Sequence, residues 1–503
     1  MQSRRNEVNG EGVSISLAGR DANANGTSDP QQFRGRMEVS ATTVRKLGFW
    51  MCTALVVGNM IGSGIFLLPA SLAPYGLNSL IAWGLTATGA LILAFVFAAL
   101  GRAYPNACGP YDYTRVAFGD LAGFVVAWGY WISIWCGNAA IATGAIGYLG
   151  TIFPALGTQP VSALATVALV WLLTGVNALG ARTAGSVQVV TTVLKLVPLL
   201  AIAGLGLWLL VTHDPTLTTA NAPTTFSIEG ITAAAALTLW ALVGLESATI
   251  PGGKVEDPER TIPRATVVGT AVTAAIYVLA CGCVLLLVPS SQLAQSQAPF
   301  ADVARNVWGN GAAVAFAVFA AISGIGALNG WILLQGELPY QMAKKGVFPR
   351  LFANESSRGV PIASLCISSA LVSVMILANS SKSLVQVFSY IILVSTSATL
   401  VFYLLCSLAV LKLMRTGELR PAGGKLGWLA AAAVVGSLYS LWAIYGAGLS
   451  TDVKQCGGQL ICWAPWLSNP AILNVALLAL GVPVFYLMRR GKVDVATPAT
   501  QRG

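Results

Sequence analysis

Three short stretches put glycine, polar and charged residues into otherwise apolar runs, and these are the residues whose chemistry stands out. The first reads Val56-Val57-Gly58-Asn59-Met60-Ile61-Gly62-Ser63-Gly64-Ile65-Phe66. Glycine weakens a helix and permits unusual backbone angles, so amides and carbonyls freed here would point into a protein-lined cavity. Amides at a half-helix N-terminus attract an anion, and carbonyls at the opposing end accept from an ammonium. The Gly58 to Gly62 spacing also fits close helix packing, but Asn59 and the second pair, Gly62 and Gly64, favour a broken helix. The second stretch, Thr238-Leu239-Trp240-Ala241-Leu242-Val243-Gly244-Leu245-Glu246-Ser247-Ala248, carries a glycine and an acid at the corresponding depth. Glu246 in an apolar setting is costly when ionised, so it could titrate with pH or with cation binding. The alternative is a protonated acid that hydrogen-bonds the first stretch for structure alone. The third, Thr192-Val193-Leu194-Lys195-Leu196-Val197-Pro198, holds a lysine. A buried lysine can lose its proton near neutral pH and act as a switch without a metal. Snorkelling to the surface is the alternative, but Lys195 lies about nine residues, or roughly 13 Å, inside its run, which is far for one side chain.

The elements that must position these residues are membrane helices. The chain has 503 residues, 55% hydrophobic and 10% charged, where a soluble domain carries about 25% charge. Polar and basic residues crowd the first 46 positions, and apolar runs of about 20 residues, long enough to cross roughly 30 Å of hydrocarbon, then recur to Arg489. Twelve are centred near residues 58, 90, 136, 171, 199, 240, 277, 325, 370, 397, 437 and 478. Continuous runs exclude a barrel with its ten-residue alternation, and composition excludes a soluble enzyme, a secreted domain and a disordered chain. No short apolar core sits beside a small-residue cleavage site at the N-terminus, so the first span doubles as targeting signal.

Of the 29 Lys and Arg, 25 fall in segments that twelve spans place on one side, while Arg305, Lys382 and Lys454 fall on the other. That bias puts both termini in the cytoplasm. The net charge of +10 is therefore topology, and nucleic acid need not be invoked. Seven of the nine Cys lie in or beside spans, where a thiol packs as a small hydrophobe. Cys456 and Cys462 share an outward loop and could form a structural disulfide there. The one histidine, His213, has no Cys or acid cluster near it in sequence and reads as a loop residue, so no metal site is expected. No nucleophile triad, His/acid cluster or cofactor loop points to an enzyme or to a cofactor.

The run holding Glu246 comes five spans after the first. An interrupted first helix in each of two five-helix halves points to an inverted-repeat transporter with substrate between the breaks. The motifs are then specific. Gly58-Asn59-Met60-Ile61-Gly62-Ser63-Gly64 with Phe66-Leu67-Leu68-Pro69-Ala70, Tyr130-Trp131 with Gly137-Asn138, and Thr238-Leu239-Trp240 with Gly244-Leu245-Glu246-Ser247-Ala248 form the first group. Asp257-Pro258-Glu259-Arg260-Thr261-Ile262-Pro263, then Gly330-Trp331 with Gly346-Val347-Phe348-Pro349, complete it. Together these resemble the amino acid, polyamine and organocation superfamily, and within it the basic amino acid/polyamine antiporters, above all the bacterial arginine/agmatine exchangers.

The resemblance implies an all-α integral membrane fold of 12 spans, a leucine-transporter-type 5+5 inverted repeat with helices 1 and 6 broken, commonly dimeric. It divides the chain into a disordered cytoplasmic tail (1–46), a ten-helix core (47–412), two further spans (413–490) and a cytoplasmic tail (491–503). It carries the binding of carboxylate and α-amino group to Met60, Gly62, Ser63 and Gly64, with Asn59 and Ile61 beside them. Asn138 falls to the distal substrate end, Trp331 to a central aromatic platform and Trp240 to a lid, with Val243 beside that lid. Ser395 and Tyr403 fall where span 10 meets the pocket and its inward side. Glu246, with Tyr130 and Tyr403, is implied in gating and pH response. A cation on an indole face gains up to about 2 kcal/mol when desolvated. Ser133-Ile134-Trp135-Cys136 departs from the arginine exchangers, and so does Lys195, where they have an apolar residue. In proton-coupled relatives a lysine there faces the span 1 break in the place of a sodium ion.

The expectation is therefore alternating-access exchange of a cationic amino acid for its decarboxylation product across the inner (plasma) membrane. The second reading is a proton-coupled amino acid permease using Lys195, with protons as a partner. A third, a sensor that binds amino acids without moving them, would use the same pocket.

Overall fold

A computed structural model describes residues 48–493 except 63, 106, 108, 180–181, 213–224, 250–254, 358, 420–425 and 450–468, with backbone alone at 182–194, 248, 426 and 490–493. His213, Ser63, Cys456 and Cys462 lie outside the described residues. The described residues form helices in the order α1 (Phe49–Met60), α2 (Gly64–Leu72), α3 (Asn78–Ala103), α4 (Pro110–Phe118), α5 (Asp120–Gly150) and α6 (Val161–Ala178). Then come α7 (Arg182–Val211), α8 (Ile228–Ala241), α9 (Pro258–Leu287), α10 (Ser290–Leu293), α11 (Pro299–Trp308) and α12 (Asn310–Lys344). The last are α13 (Ile362–Ala378), α14 (Leu384–Arg415), α15 (Leu426–Leu449) and α16 (Pro470–Val493).

Helix is forced by the solvent, because hydrocarbon offers no partner to a backbone amide or carbonyl. Among the described residues nine helices are long and apolar enough to cross a bilayer, or ten if α1 and α2 count as one span bent by 47°. Two shorter apolar helices, Lys195–Val211 and Ile362–Ala378, accompany them. Burial sorts these helices by depth. In α5, 83% of the apolar window is buried inside the protein, against 11% in α16, so α5 is central and α16 presents its sides to lipid. α5 packs on α14 and α12, α3 packs on α9, and α1 lies against α9.

Local signals set the ends. Ser227 caps α8 by accepting from the Gly230 amide, and Ser383 with Gln386 closes a reciprocal capping box on α14. Hydrogen bonds and small residues then tie neighbouring helices, as between α3, α8 and α15. Thr86 and Thr238 hydroxyls meet at 2.7 Å, and a side chain on Gly89 would come within 2.5 Å of the Tyr439 ring. A single interhelical hydrogen bond in a membrane bundle contributes about 0.6 kcal/mol on average, whereas overpacking costs about 1–3 kcal/mol. Gly89→Leu should therefore lower the thermal unfolding midpoint in detergent more than Thr86→Val does. The reverse order would show that the hydroxyl pair, not the close approach, holds α3 in place.

Candidate functional site

The first helix stops at Met60 because its hydrogen-bond ladder runs out, and the loose carbonyls can be followed one by one. Val57 O accepts from the Ile61 amide at 3.0 Å, and Met60 O accepts from the Gly62 amide at 3.1 Å. The Lys195 ammonium, fully buried on α7, donates to Gly58 O at 2.6 Å and to Ile61 O at 2.8 Å. Tyr277 of α9 donates its hydroxyl to Met60 O at 2.9 Å. A cation and a phenol from two other helices thus stand in for the missing turn, and buried carbonyls are left with partners.

The second break faces the first. α8 ends at Ala241, Leu242 and Val243 turn back on Leu239 and Trp240, and Gly244 takes φ +105°. That angle favours glycine. A Cβ there would sit 3.4 Å from the Asn59 carbonyl carbon, so the two interruptions touch. After the turn, Leu245–Thr249 forms a tight 3₁₀ helix. It buries the Glu246 side chain completely.

Glu246 Oε2 accepts from the Tyr403 hydroxyl of α14 at 2.8 Å, and the Tyr130 hydroxyl of α5 interacts with the same carboxyl group. Its Oε1 has no aligned partner among the described residues. Neither Glu246 nor Lys195 forms an ion pair among the described residues. Each is held by dipoles instead.

Between the breaks lies a cavity of about 40 Å³ whose wall includes Asn59, Met60, Gly62, Trp240, Val243 and Trp331. Ser395 lines it too, with its hydroxyl on Ser133 O at 2.9 Å. The space holds only a few waters. Trp240 leans edge-on against Phe388, with ring centroids 5.7 Å apart, and occupies the space a side chain on Gly64 would need.

The sequence candidates therefore separate into groups. Asn59, Met60, Gly62, Trp240, Val243, Trp331 and Ser395 share the cavity wall. Glu246, Tyr130 and Tyr403 form a separate buried cluster. Lys195 sits behind the break on the carbonyl side, bound through Ile61 O. Gly64 is covered by Trp240, and Asn138 is not brought to the wall but donates to Gln335 of α12 at 2.8 Å. Sequence reasoning missed Tyr277, Ile141 and Ile65, which also line the cavity. A tyrosine in the middle of an apolar run, whose hydroxyl must find a partner when buried, was the available signal. Among the described residues no group of three His, Cys, Asp or Glu side chains is arranged to hold a metal.

Two touching helix breaks around a cavity lined by two indoles define a membrane permease of the broken-helix class. The chain belongs to the amino acid permease family, whose match spans residues 47–456. It is 36% identical over 405 residues to a putative arginine/ornithine antiporter of Bacillus subtilis, covering 74% of this chain and 86% of that one. It is likewise 36% identical over 326 residues to the cadaverine/lysine antiporter of Escherichia coli K12, covering 64% of this chain and 72% of that one. The putrescine transporter PotE of the same strain is 30% identical over 435 residues, 85% and 96% of the two chains. In fold the chain is similar to a manganese transporter of Eremococcus coleocola, at a TM-score of 0.53 and 15% identity over 88% of this chain and 95% of that one.

The carbonyl accounting yields a stability test. Lys195→Met leaves two buried carbonyls without a donor, and each should cost about 1–3 kcal/mol. Thermal unfolding in detergent should show a lower midpoint for Lys195→Met and a partial return for Lys195→Gln. An unchanged midpoint would mean that water or backbone movement satisfies both carbonyls.

Proposed function

We propose that the protein is a secondary active transporter that exchanges a cationic amino acid for its decarboxylation product or a related amino acid, in the arginine/agmatine manner, by alternating access. The observation that carries this reading is the cavity itself. Its wall combines helix-break backbone with two indoles, chemistry suited to the polar end and the cationic end of one small molecule. The relatives named as arginine/ornithine and cadaverine/lysine antiporters and as a putrescine transporter support the same substrate class.

In this reading the amides at the start of α2 take the carboxylate, Met60 and its neighbours take the α-ammonium, and Trp331 and Asn138 take the distal cation. Trp240 closes over the substrate. Glu246, between Tyr130 and Tyr403, is the pH-responsive gate on the inward side. The apolar helices correspond to twelve spans in a 5+5 inverted repeat plus two, with both termini in the cytoplasm of an inner (plasma) membrane and the chain paired as a homodimer.

One observation favours a second reading, proton-coupled uptake. The Lys195 ammonium bridges two carbonyls of the broken helix, and loss of its proton would take away the charge that strengthens both bonds of that bridge. The break would then be free to rearrange in step with protonation, as a symporter needs.

Uptake of labelled arginine into liposomes separates the two. Exchange predicts uptake only into vesicles preloaded with arginine or agmatine, and Glu246→Gln, which keeps a partner for Tyr403 but cannot titrate, should flatten its pH dependence. Uptake into empty vesicles under an inward proton gradient, lost in Lys195→Ala, would establish the proton-coupled mechanism instead. Binding of arginine without flux under either condition would leave a sensor.

A further inference from the structure

We infer that Gln335 is a positioning residue for substrate selection: it fixes the Asn138 amide so that its carbonyl oxygen is left to accept from the cationic end of the substrate. This rests on the functional reading above.

The argument begins with hydrogens. The Thr174 hydroxyl on α6 donates to Val170 O at 2.7 Å. A hydroxyl has one hydrogen, so in the 2.7 Å contact between Thr174 and Ser369 the serine is the donor. Ser369 Oγ on α13 then accepts from Gln335 Nε2 at 2.8 Å. That leaves Gln335 Oε1 to accept from Asn138 Nδ2, also at 2.8 Å. Every hydrogen runs the same way, from α5 through α12 and α13 to a backbone carbonyl on α6.

The direction of this chain decides which atom of Asn138 is free. With one Nδ2 hydrogen given to Gln335 fixing the amide's orientation, its Oδ1 has no partner among the described residues, although both side chains are fully buried. A buried amide oxygen without a donor costs about 1–3 kcal/mol, and such exceptions ask for an explanation.

Position supplies it. Asn138 is four residues from Ile134 and three from Ile141 on α5, and both line the cavity, so all three share one helix face. Gln335 stands four residues beyond Trp331, also a lining residue, on the facing α12. The amide pair therefore backs the wall between Ile134, Ile141 and Trp331. A guanidinium or ammonium that reaches from the Trp331 face past Ile134 and Ile141 would find in Oδ1 the acceptor that the protein leaves unused. Were Gln335 turned round, Asn138 would offer NH₂ instead and repel the same group.

Full-length protein in liposomes tests this by competition against labelled-arginine exchange. Unlabelled arginine carries a distal donor, whereas norleucine shares the carboxylate and α-amino group but carries none. Gln335→Leu should raise the inhibition constant of arginine relative to that of norleucine on the order of tenfold. Ser369→Ala, away from the cavity wall, should move the ratio the same way by releasing Gln335. Gln335→Glu, protonated in this setting, repeats the donor and acceptor pattern and should hold the wild-type ratio.

A change equal for both competitors in Gln335→Leu and Ser369→Ala, or no change in either, overturns the proposal while arginine exchange by the wild type leaves the functional reading standing. Should Gln335→Leu not fold, Ser369→Ala carries the same test. A wild type that exchanges no cationic amino acid or amine overturns both.

Discussion

The structure turns on one constraint: a backbone carbonyl inside a membrane protein must find a donor within the protein. Interrupting the first helix at Met60 breaks the ladder that would satisfy Gly58, Met60 and Ile61. Lys195 takes two of these carbonyls and Tyr277 the third, which fixes α7 and α9 against the break. Gly244, at a φ that favours glycine, then brings the second interruption into contact with Asn59. The cavity is what remains between the two helix ends.

The same constraint explains how two ionisable groups are tolerated without each other. Lys195 is solvated by carbonyl oxygens and Glu246 by phenolic hydroxyls, so each charge or its neutral form is matched by dipoles rather than by a counter-ion. An ion pair between them would lock the two breaks together through the strongest interaction available in a low dielectric. Keeping them apart leaves each coupled to its own helix end.

The breaks were legible in the sequence because glycine, asparagine and an acid have few reasons to sit together in an apolar run. Lys195 was legible by depth alone, since its stem cannot reach the surface from the middle of α7. What sequence left open depended on other helices. Nothing in Ala274-Ala275-Ile276-Tyr277 says which side of α9 meets Met60. Asn138 shows the limit most clearly: the family resemblance assigned it to the distal substrate end, yet the orientation of its amide is set by Gln335, Ser369 and Thr174 on three other helices. Residue type announces a polar group, but the direction of its hydrogen bonds belongs to the packed bundle.

The hydrogen bonds also divide the molecule into two groups. One links α5, α6, α12 and α13 through Asn138, Gln335, Ser369 and Thr174, with Trp131 on Ser368 and Asn177 on Asn329. The other links α1 to α9 through Tyr277 and α3 to α8 through Thr86 and Thr238. Bonds that cross between them include Tyr148 to Phe66 O at 2.7 Å and the contact of Tyr130 with Glu246. Along α5 these tyrosines are 18 residues apart, about 27 Å of helix, and the cavity-lining stretch from Ser133 to Ile141 lies between them. Each group is therefore stitched internally, while tyrosine hydroxyls join the two on either side of the cavity. A hydroxyl contact is weak enough to break singly, about 1 kcal/mol, and breaking one leaves the other in place.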